Sequence, residues 1–232
     1  MKKTIATLLA IALLLPACAF NRVNVTNRST SIAAGMEDSA VLLRMKVQKT
    51  IHNEDTDEDK IRTGWGSCSG VYIKNNIILT AAHCVVMPED ITLKEVWVRK
   101  SGVSERAIPV KVDPQADLAL LYTPLSGVPV RLASRVVRGE DIWVIGNPLG
   151  LRDIITKGIV SNSHVSASDE KASFVIIDAT VLPGNSGGAV VDTNGELVGI
   201  LTRSTSLLGF LGASGLGLAV DLTTIKTFLQ SK

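Results

Sequence analysis

The sequence predicts an all-β protein, a barrel or a sandwich, with one short helix at its C-terminal end. Short runs rich in Val, Ile and Leu recur along the chain, each bounded by clusters of Gly, Pro, Asn or Asp. That is the spacing of strands joined by turns, not of helices alternating with strands. Only residues 222–229 place apolar side chains at helical intervals, with Leu222, Ile225 and Leu229 on one face. Of the 232 residues, 46% are apolar and 20% are charged, which suits a chain that buries a sizeable core and excludes a disordered one.

From the amino terminus, Met1-Lys2-Lys3 is a short positive region and Ile5 to Leu15 an apolar stretch too short to span a bilayer as a mature helix. Pro16-Ala17-Cys18-Ala19 supplies small residues for cleavage, so residues 1–19 read as an export signal. Two cuts fit. Ala17-Cys18-Ala19 suits removal before Phe20, whereas Leu15-Pro16-Ala17-Cys18 resembles a bacterial lipoprotein box, a signal of residues 1–17 that leaves Cys18 lipidated and membrane-anchored. The expected location is periplasmic or secreted, or the outer membrane if Cys18 carries lipid. Loss of Lys2 and Lys3 takes the 24 Lys and Arg to 22, equal to the 22 Asp and Glu, which leaves no basic footprint for nucleic acid.

Residues 20–38 are Asn-, Ser- and Thr-rich without clear periodicity and read as a flexible polar tether. Strand candidates follow at 40–47, 70–73, 77–80, 96–99, 108–112 and 118–122, then at 141–145, 158–163, 174–178, 188–192, 197–202 and 217–220. The runs are rich in Val, Ile and Leu, and most carry the β-branched residues that suit a pleated surface. The acidic run Glu54-Asp55-Thr56-Asp57-Glu58-Asp59 reads as a solvated hairpin loop, because it lacks the glycine and distal glutamate of an EF-hand. No metal or cofactor is expected. The apolar run Leu207 to Gly212 fits equally a strand pair with a glycine turn and a rim that contacts a partner or a membrane.

The chemistry concentrates in Ala81-Ala82-His83-Cys84, Asp117-Leu118-Ala119-Leu120 and Pro183-Gly184-Asn185-Ser186-Gly187-Gly188. A serine hydroxyl is a poor nucleophile near neutral pH, so acyl transfer needs a base to take its proton and a third group to orient that base. Glycines on both sides of Ser186 permit the tight backbone path that exposes a nucleophile, and the amides of Gly184 and Ser186 are the candidate oxyanion donors. The pattern also matches the G-x-S-x-G elbow of α/β-hydrolases, but there the histidine follows the serine, and here His52, His83 and His164 all precede it. His83 ends a strand-like run, whereas His52 sits beside the acidic loop and His164 in a Ser-rich turn. Asp117 enters an apolar strand where an unpaired carboxylate would be costly, and an imidazole N–H is a suitable partner. Cys68 and Cys84 can bond to each other in an oxidising compartment or stay as two buried thiols.

On these residues the chain resembles the chymotrypsin-like serine peptidases, in the order His83, Asp117, Ser186 and with Cys68 fifteen positions before His83. It is more similar still to bacterial HtrA-like (DegP/DegS-type) proteases in Gly146-Asn147-Pro148-Leu149-Gly150-Leu151, Gly158-Ile159-Val160-Ser161, Pro183 to Gly188 and Gly215 to Val220. The resemblance implies two Greek-key, six-stranded β-barrels, over 39–128 and over 129–232 with the terminal helix, and an active site in the cleft between them. It implies a Cys68–Cys84 disulfide, and a substrate pocket with Thr180 near its base and Ile200, Leu201 and Thr202 along a wall. Since no acidic residue stands at that base, uncharged aliphatic residues are expected before the scissile bond.

Three departures qualify the resemblance. The chain ends soon after the terminal helix, so no PDZ domain is expected. The cysteine pair is more like the trypsin branch. Asn185 stands where trypsin-like zymogens carry the aspartate that pairs with a freshly cut amino terminus, so activation by that ion pair is not expected. The expected function is therefore hydrolysis of polypeptide substrates, with oligomeric state left open; the competing class is a protease-fold binding or adhesion protein without turnover.

Overall fold

The computed structural model describes residues 28–53, 58–166, 172–204 and 216–231. Residues 1–19, read from the sequence as an export signal, most of the acidic run and the apolar run 207–212 lie outside the described residues. Two closed antiparallel barrels of six strands each carry the fold, as the family resemblance implies. The first contains β1 (Ala40–Asn53), β2 (Glu58–Lys74), β3 (Ile77–Thr80), β4 (Ile91–Lys100), β5 (Val103–Asp113) and β6 (Leu118–Tyr122). The second contains β7 (Asp141–Gly146), β8 (Ile154–Ser166), β9 (Ser173–Asp178), β10 (Ala189–Val191), β11 (Leu197–Ser204) and β12 (Leu216–Asp221).

Closure removes sheet edges, and alternation then sorts each strand into an inward and an outward set of side chains. Leu43, Ile78, Val98 and Leu121 fill the first interior, and Ile142, Val175, Ile177 and Leu201 fill the second. A third apolar cluster, which includes Val71, Leu79, Leu118, Trp143, Ile145 and Ile200, joins residues of both barrels. That cluster sets the barrels against each other, and the functional residues lie where they meet.

Helix α1 (Arg28–Met36) corrects the expectation of a flexible tether through residue 38. Ile32 and Met36, one helical turn apart, are buried in the cluster that joins the barrels. Trp143 Nε1 also donates to Ser29 Oγ at 2.9 Å. Two apolar residues in an otherwise polar stretch are too few for a periodic signal, and the segment is helical because of what it docks against.

Helix α2 (Leu222–Gln230) forms as predicted, capped by Asp221, which accepts from Thr224 N at 2.8 Å. Its buried face is Leu222, Ile225 and Phe228; Leu229 is half-buried. At the other end, Lys111 of β5 donates to Phe228 O at 2.5 Å and to Ser231 O, placing a cation on the orphan carbonyls and tying the helix to the first barrel. No helix among the described residues is long and apolar enough to cross a membrane.

Candidate active site

His83 lies in a short 3-10 turn, Ala82–Cys84, directly after β3. Asp117 precedes β6, the neighbour of β3, so sheet pairing alone brings the two loops together. The ring is anchored: His83 Nδ1 is 2.9 Å and 3.0 Å from the two carboxylate oxygens of Asp117, and the His83 amide donates to Asp117 Oδ1 at 3.0 Å. An ionised carboxylate can only accept, so Nδ1 carries the proton and Nε2 is left as an acceptor. Burial opposes ionisation of Asp117, yet the hydrogen bonds from His83 and from the Thr202 hydroxyl hold its carboxyl below the ordinary carboxylate range. Its backbone has φ +50°, a left-handed conformation that aspartate tolerates better than most residues.

Ser186 comes from the second barrel, in the turn before β10. Its carbonyl accepts from Ser69 N of β2 at 2.7 Å and lies 3.8 Å from the Sγ of Cys84, the residue after His83. Its hydroxyl donates to the Thr202 carbonyl at 3.2 Å. Thr202 therefore touches two of the three candidates, the carboxylate through its side chain and the serine through its backbone. Rotation about the serine χ1, a fast motion, releases the hydroxyl from that carbonyl.

Among the described residues, the amides of Gly184 and Ser186 donate to no protein acceptor, while Asn185 N and Gly187 N are spent on Leu182 O and Leu201 O. Two unspent donors beside a serine hydroxyl can receive a developing oxyanion. Gly184 has φ +98°, and a Cβ there would sit 2.7 Å from Asn147 O; Gly187 has φ +79°, and a Cβ there would meet Thr80 Oγ1 at 2.1 Å. Both positions require glycine.

Two residues that sequence reasoning missed hold this turn. Ser69, fully buried in β2, donates its hydroxyl to Gly184 O at 2.8 Å and accepts from Asn147 N at 2.8 Å. Asn147, also buried, reaches across the seam to donate to Val41 O at 2.9 Å. Serine beside a cysteine carries no sequence signal for such a role, and the Gly146-Asn147-Pro148 motif carries a family resemblance without pointing to this contact.

The other predicted positions separate. Ile200 and Leu201 are fully buried in the cores, so only their backbone borders the cleft. Thr202 is buried and turned to Asp117. Thr180 is exposed, and its carbonyl accepts from Thr156 Oγ1 at 3.3 Å. Cys68 and Cys84 form a disulfide with an S–S distance of 2.04 Å. Their sulfurs and the His83 ring cluster within 4.8 Å, but bonded sulfurs offer no thiolate to a metal.

The remaining histidines also meet carboxylates. His52 Nδ1 is 2.9 Å from Asp59 on the long hairpin. His164 lies in β8 rather than in a turn, 3.0 Å from Asp221 and 3.1 Å from Ser166 Oγ. Ser166 pairs with Ser173 in the β8–β9 ladder, and Asp221 is the cap of α2.

Comparison with known proteins identifies the family and the fold. The profile described as "Trypsin-like peptidase domain" matches residues 68–200. The putative serine protease HhoB of Synechocystis is 27% identical over 219 residues, 90% of this chain and 49% of that protein. A probable periplasmic serine endoprotease, DegP-like, of Pseudomonas putida is 34% identical over 175 residues, 71% of this chain and 36% of that protein. The chain thus spans half or less of the length of these relatives. Among solved structures, the active form of the Rv3671c protease from M. tuberculosis superposes with a TM-score of 0.70 at 21% identity, covering 97% of this chain and 93% of that one. The HtrA-type protease AlgW with a decapeptide gives 0.66 at 23% identity, covering 86% and 66%. These structural likenesses show the shared double-barrel fold, and the profile match over more than half of the sequence shows that the chain belongs to the trypsin-like peptidase domain family.

Proposed function

We propose that this chain is an exported serine endopeptidase in which His83, Asp117 and Ser186 form the catalytic triad. The observation that carries the reading is the His83 ring held by both oxygens of Asp117 while two amides beside the Ser186 hydroxyl stay unspent. In the cycle, Ser186 Oγ swings from the Thr202 carbonyl to His83 Nε2, surrenders its proton and attacks a peptide carbonyl. Asp117 stabilises the resulting imidazolium, and the Gly184 and Ser186 amides bind the oxyanion. His83 then protonates the leaving amine, and water activated by the same base releases the acyl group.

The barrels over 39–128 and 129–232 are taken as the two halves of one catalytic unit. The absence of an acidic residue at position 180 favours uncharged aliphatic side chains before the scissile bond. Names of periplasmic relatives and residues 1–19 together support export, with Cys18 either removed or lipidated. A fluorophosphonate probe tests the central claim: it labels the wild-type protein and not Ser186→Ala, and absence of labelling in folded wild-type protein overturns it. Peptide-library profiling tests the pocket, with dominance of Lys or Arg before the cut as the contrary result. Mass spectrometry of the mature amino terminus distinguishes the two signal cuts.

A further inference from the structure

The outer face of the first barrel carries a basic and aromatic cleft of about 330 Å³, lined by Arg44, Trp65, Trp97, Arg99 and Ser104. Strand register builds it. Arg44 of β1 stands opposite Ser67 of β2 and Trp97 of β4, and Trp97 stands opposite Arg106 of β5. The Arg44 guanidinium lies 5.7 Å from the Trp65 ring, and that of Arg106 lies 5.7 Å from the Trp97 ring. Trp65 is 52% exposed, a large apolar surface left open to water in a setting of positive charge.

The charges of this face do not cancel. Its carboxylate, Glu95, is committed to Trp97 Nε1 at 3.0 Å and to Arg106 at 2.9 Å. Arg44 and Arg99 meet no carboxylate among the described residues. Among the described carboxylates of the long hairpin, Asp59 stands six strand positions from Trp65, about 20 Å along β2. Pairing continues without a break from Lys46↔Trp65 to Asn53↔Glu58, which carries the tip about 23 Å away at roughly 3.3 Å per residue.

The cleft adjoins the candidate active site. Arg44 Nη1 is 3.4 Å from where a Cβ on Gly150 would lie. Gly150 belongs to the turn whose Leu149 amide donates to Pro183 O at 2.7 Å, directly before Gly184. Leu149 and Leu151, 67% and 61% exposed, form the apolar surface between. Along β2, Trp65, Ser67 and Ser69 share one side of the strand, and Ser69 touches Ser186. The direction is set by His83: the base that protonates the leaving amine is joined through Cys84 to Cys68 of β2, so the leaving-group segment departs over β2. Trp65 lies four strand positions from Ser69, about 13 Å, which an extended substrate covers in about four residues.

We propose that this cleft binds the leaving-group segment of the substrate and selects acidic side chains about four residues beyond the scissile bond. The inference rests on the reading of His83, Asp117 and Ser186 as a triad. Arg44 and Arg99 pair with the carboxylates, and Trp65 covers the substrate backbone and stems.

Three peptides, identical through the scissile bond and bearing Asp-Asp, Ser-Ser or Lys-Lys at the third and fourth positions after it, test the proposal. Two partly exposed charge pairs predict about tenfold higher kcat/KM for Asp-Asp than for Lys-Lys, expressed in KM and reduced in about 0.5 M salt. The Arg44→Ala/Arg99→Ala double variant retains the rate on the Ser-Ser peptide and loses the preference. Equal rates on the three peptides, or a preference that survives in the double variant, overturn the proposal. Fluorescence anisotropy of the Asp-Asp peptide with Ser186→Ala protein reads the same cleft without turnover. Binding there that weakens at least fivefold in Arg44→Ala/Arg99→Ala supports the cleft even if no peptide is cut, a result that would instead defeat the triad reading. Self-association abolished by the same double variant, with no peptide binding, would make a second copy the occupant and overturn the proposal.

Discussion

Asp117 combines three demands that rarely meet in one residue: burial, a left-handed backbone and a charge. Hydrogen bonds from His83 and Thr202 keep it ionised despite burial. A folded-state pKa lowered in this way contributes stability above the ordinary carboxylate range, and that contribution is lost as pH falls through the lowered value. The melting-temperature gap between wild type and Asp117→Asn, which preserves the tolerance for positive φ, is therefore expected to shrink as pH falls below about 4. Thermal melts across pH check this, and a gap that widens on acidification contradicts it. The three residues proposed as the triad each sit in a local pattern, Ala-Ala-His-Cys, Asp-Leu-Ala-Leu and Gly-Asn-Ser-Gly-Gly. Thr202 was legible only as a piece of pocket wall. The pairing of β11 with β12 shifts between Leu201 and Arg203, and that irregularity turns the threonine side chain to Asp117, which residue type alone does not reveal. Loss of the hydroxyl in Thr202→Val removes a hydrogen bond to a charged acceptor, about 1.5–3 kcal/mol, and is expected to lower kcat at least tenfold with KM little changed. Thr202→Ser should recover most of the rate.

At the scale of elements, every strand of the two barrels overlaps a run read from the sequence, because β-branched side chains and glycine-rich turns mark strands locally. Extents were harder. β1 and β2 continue as a paired hairpin out to Asn53↔Glu58, well beyond the apolar runs, since main-chain pairing extends past the point where any core selects the side chains. Helix α1 was illegible for the complementary reason, its two buried residues gaining meaning only from the barrel beneath them. The turn that carries Gly184 and Ser186 belongs to this scale too. Ser69 lies 115 residues from Gly184 in sequence and is bonded to it, a contact no local pattern announces. In Ser69→Ala the carbonyl of Gly184 and the amide of Asn147 lose their buried partner, at about 1–3 kcal/mol for each group left unsatisfied. The expected result is a fall in kcat of tenfold or more on small ester substrates with KM within about twofold, and a lower denaturation midpoint. Full kcat in a destabilised variant would mean that other contacts suffice to aim the two amides.

At the scale of the whole molecule, neither barrel contains the whole candidate site. His83 and Asp117 come from the first, Ser186 and the two amides from the second, and the third apolar cluster fixes how they meet. The Cys68–Cys84 bridge bears on both halves of that meeting. Cys84 follows His83, and Cys68 precedes Ser69, whose amide holds the Ser186 carbonyl, so the base and the nucleophile's backbone anchor are joined by one covalent link. Closing a loop with a sequence separation of 16 is worth about 3 kcal/mol in the chain-entropy account. Cys68 and Cys84 are two members of the first interior, which also packs Leu43, Ile78, Val98 and Leu121, so most of its apolar contacts do not run through the bridge. Reduction is therefore expected to leave a folded protein that is about 3 kcal/mol less stable in denaturant titration. Its fluorophosphonate labelling rate should fall further than the loss of folded fraction accounts for, because His83 is no longer tied to the strand that carries Ser69. The Cys68→Ala/Cys84→Ala variant should reproduce both effects without reductant. Equal labelling per folded molecule in the bridged and unbridged forms would show that barrel packing alone sets the register of base and nucleophile, and would reduce the disulfide to a stabilising staple.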